Sequence, residues 1–195
     1  MSRIIAGSAK GHRIATPAHS LTRPTTDRVR EALFSALESW FWSEGAADRA
    51  LEGRSFLDLY AGSGAIGLEA ASRGAGPVLL VEADKKTADL IRANARSTGL
   101  SVTVRTGRVD QVLGAGPDGA GFEIGWLDPP YDMATDALDR TLALVDEHDW
   151  IVPAGLLVLE RPRRSPEPTW PPSVERTWSR RYGETILHFA ELQEV

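Results

Sequence analysis

The chain has 195 residues, 42% of them hydrophobic and 25% charged, with no cysteine and a formal net charge of −5. That length fits one domain with a substantial core, and the missing cysteines exclude disulfides and thiolate metal sites. No segment approaches the roughly 20 apolar residues of a spanning helix, so the expectation is a cytoplasmic monomer with no membrane partner and no metal.

In chain order, "RIIAGSAKGHRIAT" (3–16) predicts two short strands around a glycine-containing turn. Residues 1–30 hold Arg3, Lys10, Arg13, Arg23, Arg28 and Arg30 against a single acid, Asp27. This leaves +5 on the arm and −10 on the remainder, a pattern suited to docking on phosphates; the alternative is an ordinary solvated terminus. The chain is expected to form a single compact domain overall, with a basic hairpin extension over 1–24 and a catalytic domain over 25–195. Residues 17–24 read as a connector. A helix follows over 27–41, with Val29, Leu33, Ala36, Leu37 and Trp40 at helical spacing and Thr26 or Asp27 as its N-cap. Residues 43–54 form a second connector.

A strand–helix alternation then begins. Strands are predicted at 55–60, 77–82, 101–105, 123–128 and 155–160, and helices at 65–74, 84–97 and 133–148, with a short helix after the third of these strands. Residues 161–172 read as an irregular basic connector, and the chain closes in an antiparallel hairpin around Gly183. Such alternation implies a parallel sheet with helices on both faces. Right-handed crossovers place the strand C-ends on one edge, where ligands bind.

"DLYAGSGAIGLE" (58–69) lies at the first strand-to-helix turn, and Gly62, Gly64 and Gly67 spell G-x-G-x-x-G. Nicotinamide enzymes, flavoproteins and methyltransferases share such a loop, and it also serves as a tight turn with no ligand. Two acids narrow the choice. Glu82, ending the second of these strands, is placed to accept hydrogen bonds from both ribose hydroxyls of an adenine nucleoside. Asp58 precedes the loop, where it disfavours a pyrophosphate and tolerates a cationic ligand. S-adenosylmethionine carries an ammonium and a sulfonium and no phosphate. A loop-capping role for Asp58 is the alternative.

Asp128, Pro129, Pro130 and Tyr131 end the fourth strand on the same edge. An exocyclic amino group on a base is a poor nucleophile because its lone pair is delocalised into the ring. Two acceptors aimed at its N–H bonds hold it in place: the Asp128 carboxylate and the Pro129 carbonyl. The prolines stiffen the turn, and Tyr131 offers a face on which a flipped-out base stacks. A plain turn with Tyr131 in the core is the alternative.

"DLYAGSG", "VE" and "DPPY" together resemble class I S-adenosylmethionine-dependent methyltransferases acting on amino nitrogen. "RIIAGSAKGHRI" with "RPTTDRVREALFSAL" resembles the RsmD family, guanine-N2 methyltransferases of 16S ribosomal RNA. The resemblance implies an α/β, Rossmann-like, seven-stranded and mostly parallel sheet with helices on both faces and an N-terminal β-hairpin extension. It implies S-adenosylmethionine as cofactor, and as substrate one guanine of 16S ribosomal RNA within the small subunit or an assembly intermediate. By the same resemblance Asp128, Pro129, Pro130 and Tyr131 form the target-base pocket. Asp58, Ala61, Gly62, Ser63, Gly64 and Glu82 contact the cofactor, and Arg108 and the Val109 backbone meet its adenine. Arg23, Thr25, Asp27, Arg28 and Arg30 lie near the methionine end or RNA. Arg3, Lys10, Arg13, Arg163 and Arg164, helped by Arg161, complete the expected RNA contacts. Outside this family the competing readings are an adenine-N6 methyltransferase, a nicotinamide dehydrogenase and a non-enzymatic RNA-binding module.

Overall fold

In the computed structural model the described residues are 2–17, 26–42 and 51–194. The four residues of strand β3 (Phe56–Leu59) are all buried, as expected of a strand covered on both faces. It lies inside a seven-stranded sheet with β4 (Val78–Glu82), β5 (Thr103–Thr106), β6 (Phe122–Leu127), β7 (Ile151–Pro162), β8 (Val174–Tyr182) and β9 (Thr185–Leu192), in the order β5-β4-β3-β6-β7-β9-β8. β3 to β7 pair in parallel, and β9 inserts antiparallel between β7 and β8.

Alternation along the strands splits the core in two. Phe56, Leu80, Ile124, Trp126 and Val158 pack toward α1 (Asp27–Trp42), α2 (Ala65–Ser72) and α3 (Lys85–Thr98). Leu57, Val81, Leu127, Leu157 and Leu159 pack toward α4 (Val109–Gly114) and α5 (Thr135–Glu147). The first crossovers move from β3 out to β5, and the chain then returns to place β6 on the other side of β3. The crevice between β3 and β6 is therefore a topological switch point, where open α/β sheets bind ligands.

β7 departs from the expected strand at both ends. It starts at Ile151 because a bulge absorbs Pro153: Phe122 pairs with Ile151, whereas Ile124 pairs with Leu156. It runs on to Pro162 because β9 continues to pair with it there, so Arg161 belongs to the sheet and not to the connector.

The N-terminal hairpin pairs β1 (Ser2–Arg3) with β2 (Arg13–Ile14), and it packs on the helices beside the sheet. Ile4, Ala9 and Ile14 share a core with Leu68 of α2 and Ala95 of α3. The buried Glu69 carboxylate accepts from Ile5 N at 2.7 Å and Ala6 N at 2.9 Å. Ser72 Oγ donates to Ala6 O and accepts from Ala9 N, while Asn94 exchanges two hydrogen bonds with Ala15. The expected boundary at residue 24 lies outside the described residues. Thr26 caps α1, its Oγ1 accepting from Val29 N at 3.3 Å.

Arg30 corrects the expectation of an RNA contact. Its side chain is fully buried and donates to Ser2 Oγ, Arg3 O and Asp27 Oδ1. Burial lowers its pKa, partly offset by Asp27 and Glu69. It fastens α1 to β1 and meets no solvent.

Ile14→Ala is expected to cost about 2–5 kcal/mol in urea unfolding, the range for emptying a buried aliphatic site. A cost below about 1 kcal/mol would mean the hairpin shares no core with α2 and α3.

Candidate active site

β3 delivers the chain to its C-terminal edge with Tyr60 at φ 68, a left-handed conformation rare for an aromatic residue. The loop then closes on itself: Gly64 N donates to Ala61 O at 2.8 Å, and Ala61 N to Val81 O at 2.9 Å. Gly64 also has positive φ, and a Cβ there would lie 2.9 Å from Ile91. Gly67 serves a different purpose. A Cβ on it would strike Leu80 at 2.7 Å, so its lack of a side chain sets how closely α2 approaches β4.

Two carboxylates shape this loop. Asp58 Oδ2 accepts from Gly67 N at 2.9 Å, while Oδ1 is buried with no hydrogen-bond partner. Desolvation pushes its pKa from 3.8 up to about 8; the Gly67 bond opposes this, and the charges of Asp128 and Glu82 add to it. Burial therefore favours the neutral form of Asp58, and a cation beside its unpartnered oxygen would favour the charged form. Glu82 Oε2 accepts from Gly62 N at 2.9 Å, and Oε1 from Asp84 N at 2.8 Å. It holds the loop to the end of β4 and lines the cleft.

The opposite wall comes from β6. Asp58 pairs with Trp126 and Leu59 with Leu127, so Asp128 leaves the sheet beside Tyr60. Pro129 is buried, and the Tyr131 ring is the one large hydrophobic group exposed among the described residues, at 42%. Met133 N donates to Pro130 O at 2.9 Å and closes a turn with Tyr131 at its tip. The cleft between the walls has a volume of about 1240 Å³. That exceeds the roughly 300–1,000 Å³ typical of a single small-ligand pocket and leaves room for a nucleoside cofactor and a base.

Comparison with known proteins places this arrangement. The family model described as "Conserved hypothetical protein 95" matches residues 2–191. YlbH of Bacillus subtilis (strain 168) is 32% identical over 186 residues, covering 94% of this chain and 95% of that protein. "Ribosomal RNA small subunit methyltransferase D" of Escherichia coli (strain K12) is 31% identical over 169 residues, covering 87% of this chain and 79% of that protein. The chain belongs to the RsmD family. The solved structure of yhhF from Escherichia coli superposes with a TM-score of 0.81 at 28% identity, covering 100% of this chain and 99% of that one. A Thermus thermophilus structure titled "16S rRNA N2 G1207 methyltransferase (RsmC) in complex with AdoMet and Guanosine" shares the fold, with a TM-score of 0.66 at 21% identity, covering 89% of this chain and 45% of that one. The family and fold are those of class I S-adenosylmethionine-dependent methyltransferases.

Set in the RsmD fold, Asp58, Ala61, Gly62, Ser63, Glu82, Arg108, Val109, Asp128, Pro129, Pro130 and Tyr131 all line the one cleft, and Gly64 sits behind its wall. The Arg108 side chain turns back on Asp110 with two hydrogen bonds, at 3.1 and 3.0 Å, and Val109 is buried. Asp110 also faces the cleft; sequence reading missed it because a lone acid after a strand carries no signal. Tyr60 and Thr141 were missed as well. They meet across the cleft wall, Tyr60 Oη lying 3.3 Å from Thr141 Oγ1. Ser2, Thr16 and Pro17 bring the N-terminal segment to the rim.

Of the expected RNA contacts, Arg3, Lys10, Arg13, Arg28, Arg163 and Arg164 are exposed. Arg23 and Thr25 lie outside the described residues. Arg161 is buried and turned toward the cleft-wall turn, which removes it from any phosphate-binding surface.

Two predictions follow from the carboxylates. Glu82→Ala is expected to weaken S-adenosylmethionine binding by about 1–3 kcal/mol, the scale of hydrogen bonds to a charged group; unchanged affinity by calorimetry would refute the ribose assignment. Asp58 holds its proton more tightly folded than unfolded. The stability this group contributes is therefore complete below about pH 3.8 and lost as pH rises to about 8. A cationic ligand reverses the preference and expels the proton. Affinity for S-adenosylmethionine should then rise with pH up to about 8 in the wild type. Asp58→Asn, which keeps an acceptor for Gly67 N, should flatten that dependence; identical pH profiles for the two proteins would show that Asp58 does not meet the cation.

Proposed function

We propose that this chain transfers a methyl group from S-adenosylmethionine to the exocyclic N2 of a guanine in 16S ribosomal RNA, acting in the cytoplasm as a monomer on the small ribosomal subunit or an assembly intermediate. One observation carries the reading: an acid and an exposed aromatic ring, on a proline-stiffened turn, share a cleft with a glycine loop that has a buried, half-unsatisfied carboxylate at its base. The name of the Escherichia coli relative supplies the RNA, and the Thermus thermophilus title supplies the N2 position by analogy.

The residues fit the cofactor. The free Asp58 oxygen complements a cation, Glu82 has lone pairs for ribose hydroxyls, and Val109 offers an apolar surface to a flat ring. When bound, S-adenosylmethionine supplies an electrophilic methyl carbon on a sulfonium. The chain's task is then to present the amino nitrogen in line with it. Asp128 and the Pro129 carbonyl accept its two N–H bonds, and Tyr131 stacks on the flipped-out base. Pro130 O is already engaged by Met133 N, so Pro129 is the proline whose carbonyl serves the base. Catalysis on this account is mostly positioning.

RNA affinity falls to the exposed cations. Arg3, Lys10 and Arg13 sit on the hairpin, Arg28 on α1, and Arg163 and Arg164 just past β7, each taken as a phosphate contact.

The test is to incubate the protein with labelled S-adenosylmethionine and small subunits lacking the modification, then to map the methylated base. Asp128→Ala should lose at least about 100-fold in rate with cofactor binding retained. Tyr131→Phe should stay near wild type while Tyr131→Ala falls. A methylated adenine would overturn the N2 assignment in favour of adenine-N6 chemistry, and equal loss in both Tyr131 variants would replace stacking with a role for the hydroxyl.

A further inference from the structure

Arg161 is the least expected side chain near the site. It projects from the end of β7, is 4% exposed, and belongs to a protein with ample surface for its cations. Nη1 donates to Pro130 O at 3.3 Å and Nη2 to Met133 O at 3.2 Å. Those two carbonyls belong to the first and last residues of the turn closed by Met133 N, so one planar fork grips both ends of it. Tyr131 stands at its tip. Of the donors left over, Nε is buried with no hydrogen-bond partner among the described residues.

Such a placement is costly. An apolar side chain of similar volume commonly stabilises a fold as well as a buried cation does or better, and here desolvation depresses the guanidinium pKa while the charges of Asp128 and Tyr60 oppose that. What an apolar side chain cannot do is hold two carbonyls at fixed separation. The turn it holds is the segment on which the proposed chemistry depends, and displacement of a reacting group by about 1 Å costs about 100-fold in rate.

We propose that Arg161 is a positioning residue for methyl transfer, whose fork locks the 130–133 turn so that the Pro129 carbonyl and the Tyr131 ring keep their aim at the target base. It touches neither base nor cofactor. The inference rests on the amino-methyltransferase reading above, but the locking itself is measurable without substrate.

The experiment compares full-length wild type with Arg161→Met, Arg161→Lys and Arg161→Ala, in three measurements. Amide hydrogen exchange over residues 131–134, with S-adenosylmethionine bound, should be at least about tenfold faster in Arg161→Met, with the sheet unchanged. Methyl transfer to unmodified small subunits should fall about 100-fold in kcat, while KM for the particle and cofactor affinity stay within about threefold. Arg161→Lys, a point charge on a flexible stem, should recover only a minor part, and guanidinium ion should partly restore Arg161→Ala. Unchanged exchange in the turn overturns the proposal, as does a wild-type kcat in Arg161→Met. Parallel loss of cofactor binding with faster exchange throughout the sheet overturns it in favour of a purely structural role. If Arg161→Met does not fold, Arg161→Lys is read by the same criteria. If the wild type does not methylate the particle, the substrate reading fails, and turn exchange still decides the role of Arg161.

Discussion

The hydrogen bond from Gly67 N to the buried Asp58 carboxyl organises everything around it. It joins the central strand to the first turn of α2 at the point where the chain must reverse, and the loop between them has little freedom left. A donor of this kind near a helix N-terminus has no partner within the helix, so Asp58 satisfies it while one of its own oxygens stays bare. The fold thereby keeps a buried carboxyl with one unpartnered oxygen beneath the glycine loop.

The rest of the site follows from topology. Because the chain reverses its direction of travel between β3 and β6, the ends of these neighbouring strands open away from each other at one edge. The glycine loop occupies one lip and the Asp128–Tyr131 turn the other. Each is braced from behind by a neighbouring strand: Glu82 at the end of β4 holds Gly62, and Arg161 at the end of β7 holds Pro130 and Met133. Flexible segments thus acquire the precision of the sheet.

Much of this was legible in the sequence, for a physical reason. The strand–helix alternation, the glycine spacing and the D-P-P-Y turn are local patterns, each set by backbone sterics within a few residues. The apolar face of α1 came through in large part: Val29, Leu33, Ala36 and Leu37 are buried and Trp40 half-buried, while Phe34 and Phe41 join them in the core. Failures came where long-range packing decides. Arg30 and Arg161 look like members of basic surface runs, and only the approach of β1 to α1, or of the turn to β7, takes them out of water. The hairpin reads as a charged arm because Arg3, Lys10 and Arg13 meet no acid within residues 2–17, yet Ile4, Ala9 and Ile14 fix it to the body. The start of β7 was hidden by Pro153, which a bulge accommodates.

α2 has only eight residues, and both partners of the proposed reaction lean on it. Gly67 on its first turn secures the glycine loop, while Glu69 and Ser72, within two turns, secure the hairpin that carries Arg3, Lys10 and Arg13. A short rigid helix cannot tilt at one end alone. On the proposed reading, strain that docking placed on the hairpin would reach the glycine loop through this helix, and thermodynamic reciprocity would make any resulting coupling run equally in both directions. In such a design, the loading of the methyl donor and the recognition of its acceptor are accounted for in a single coupling energy.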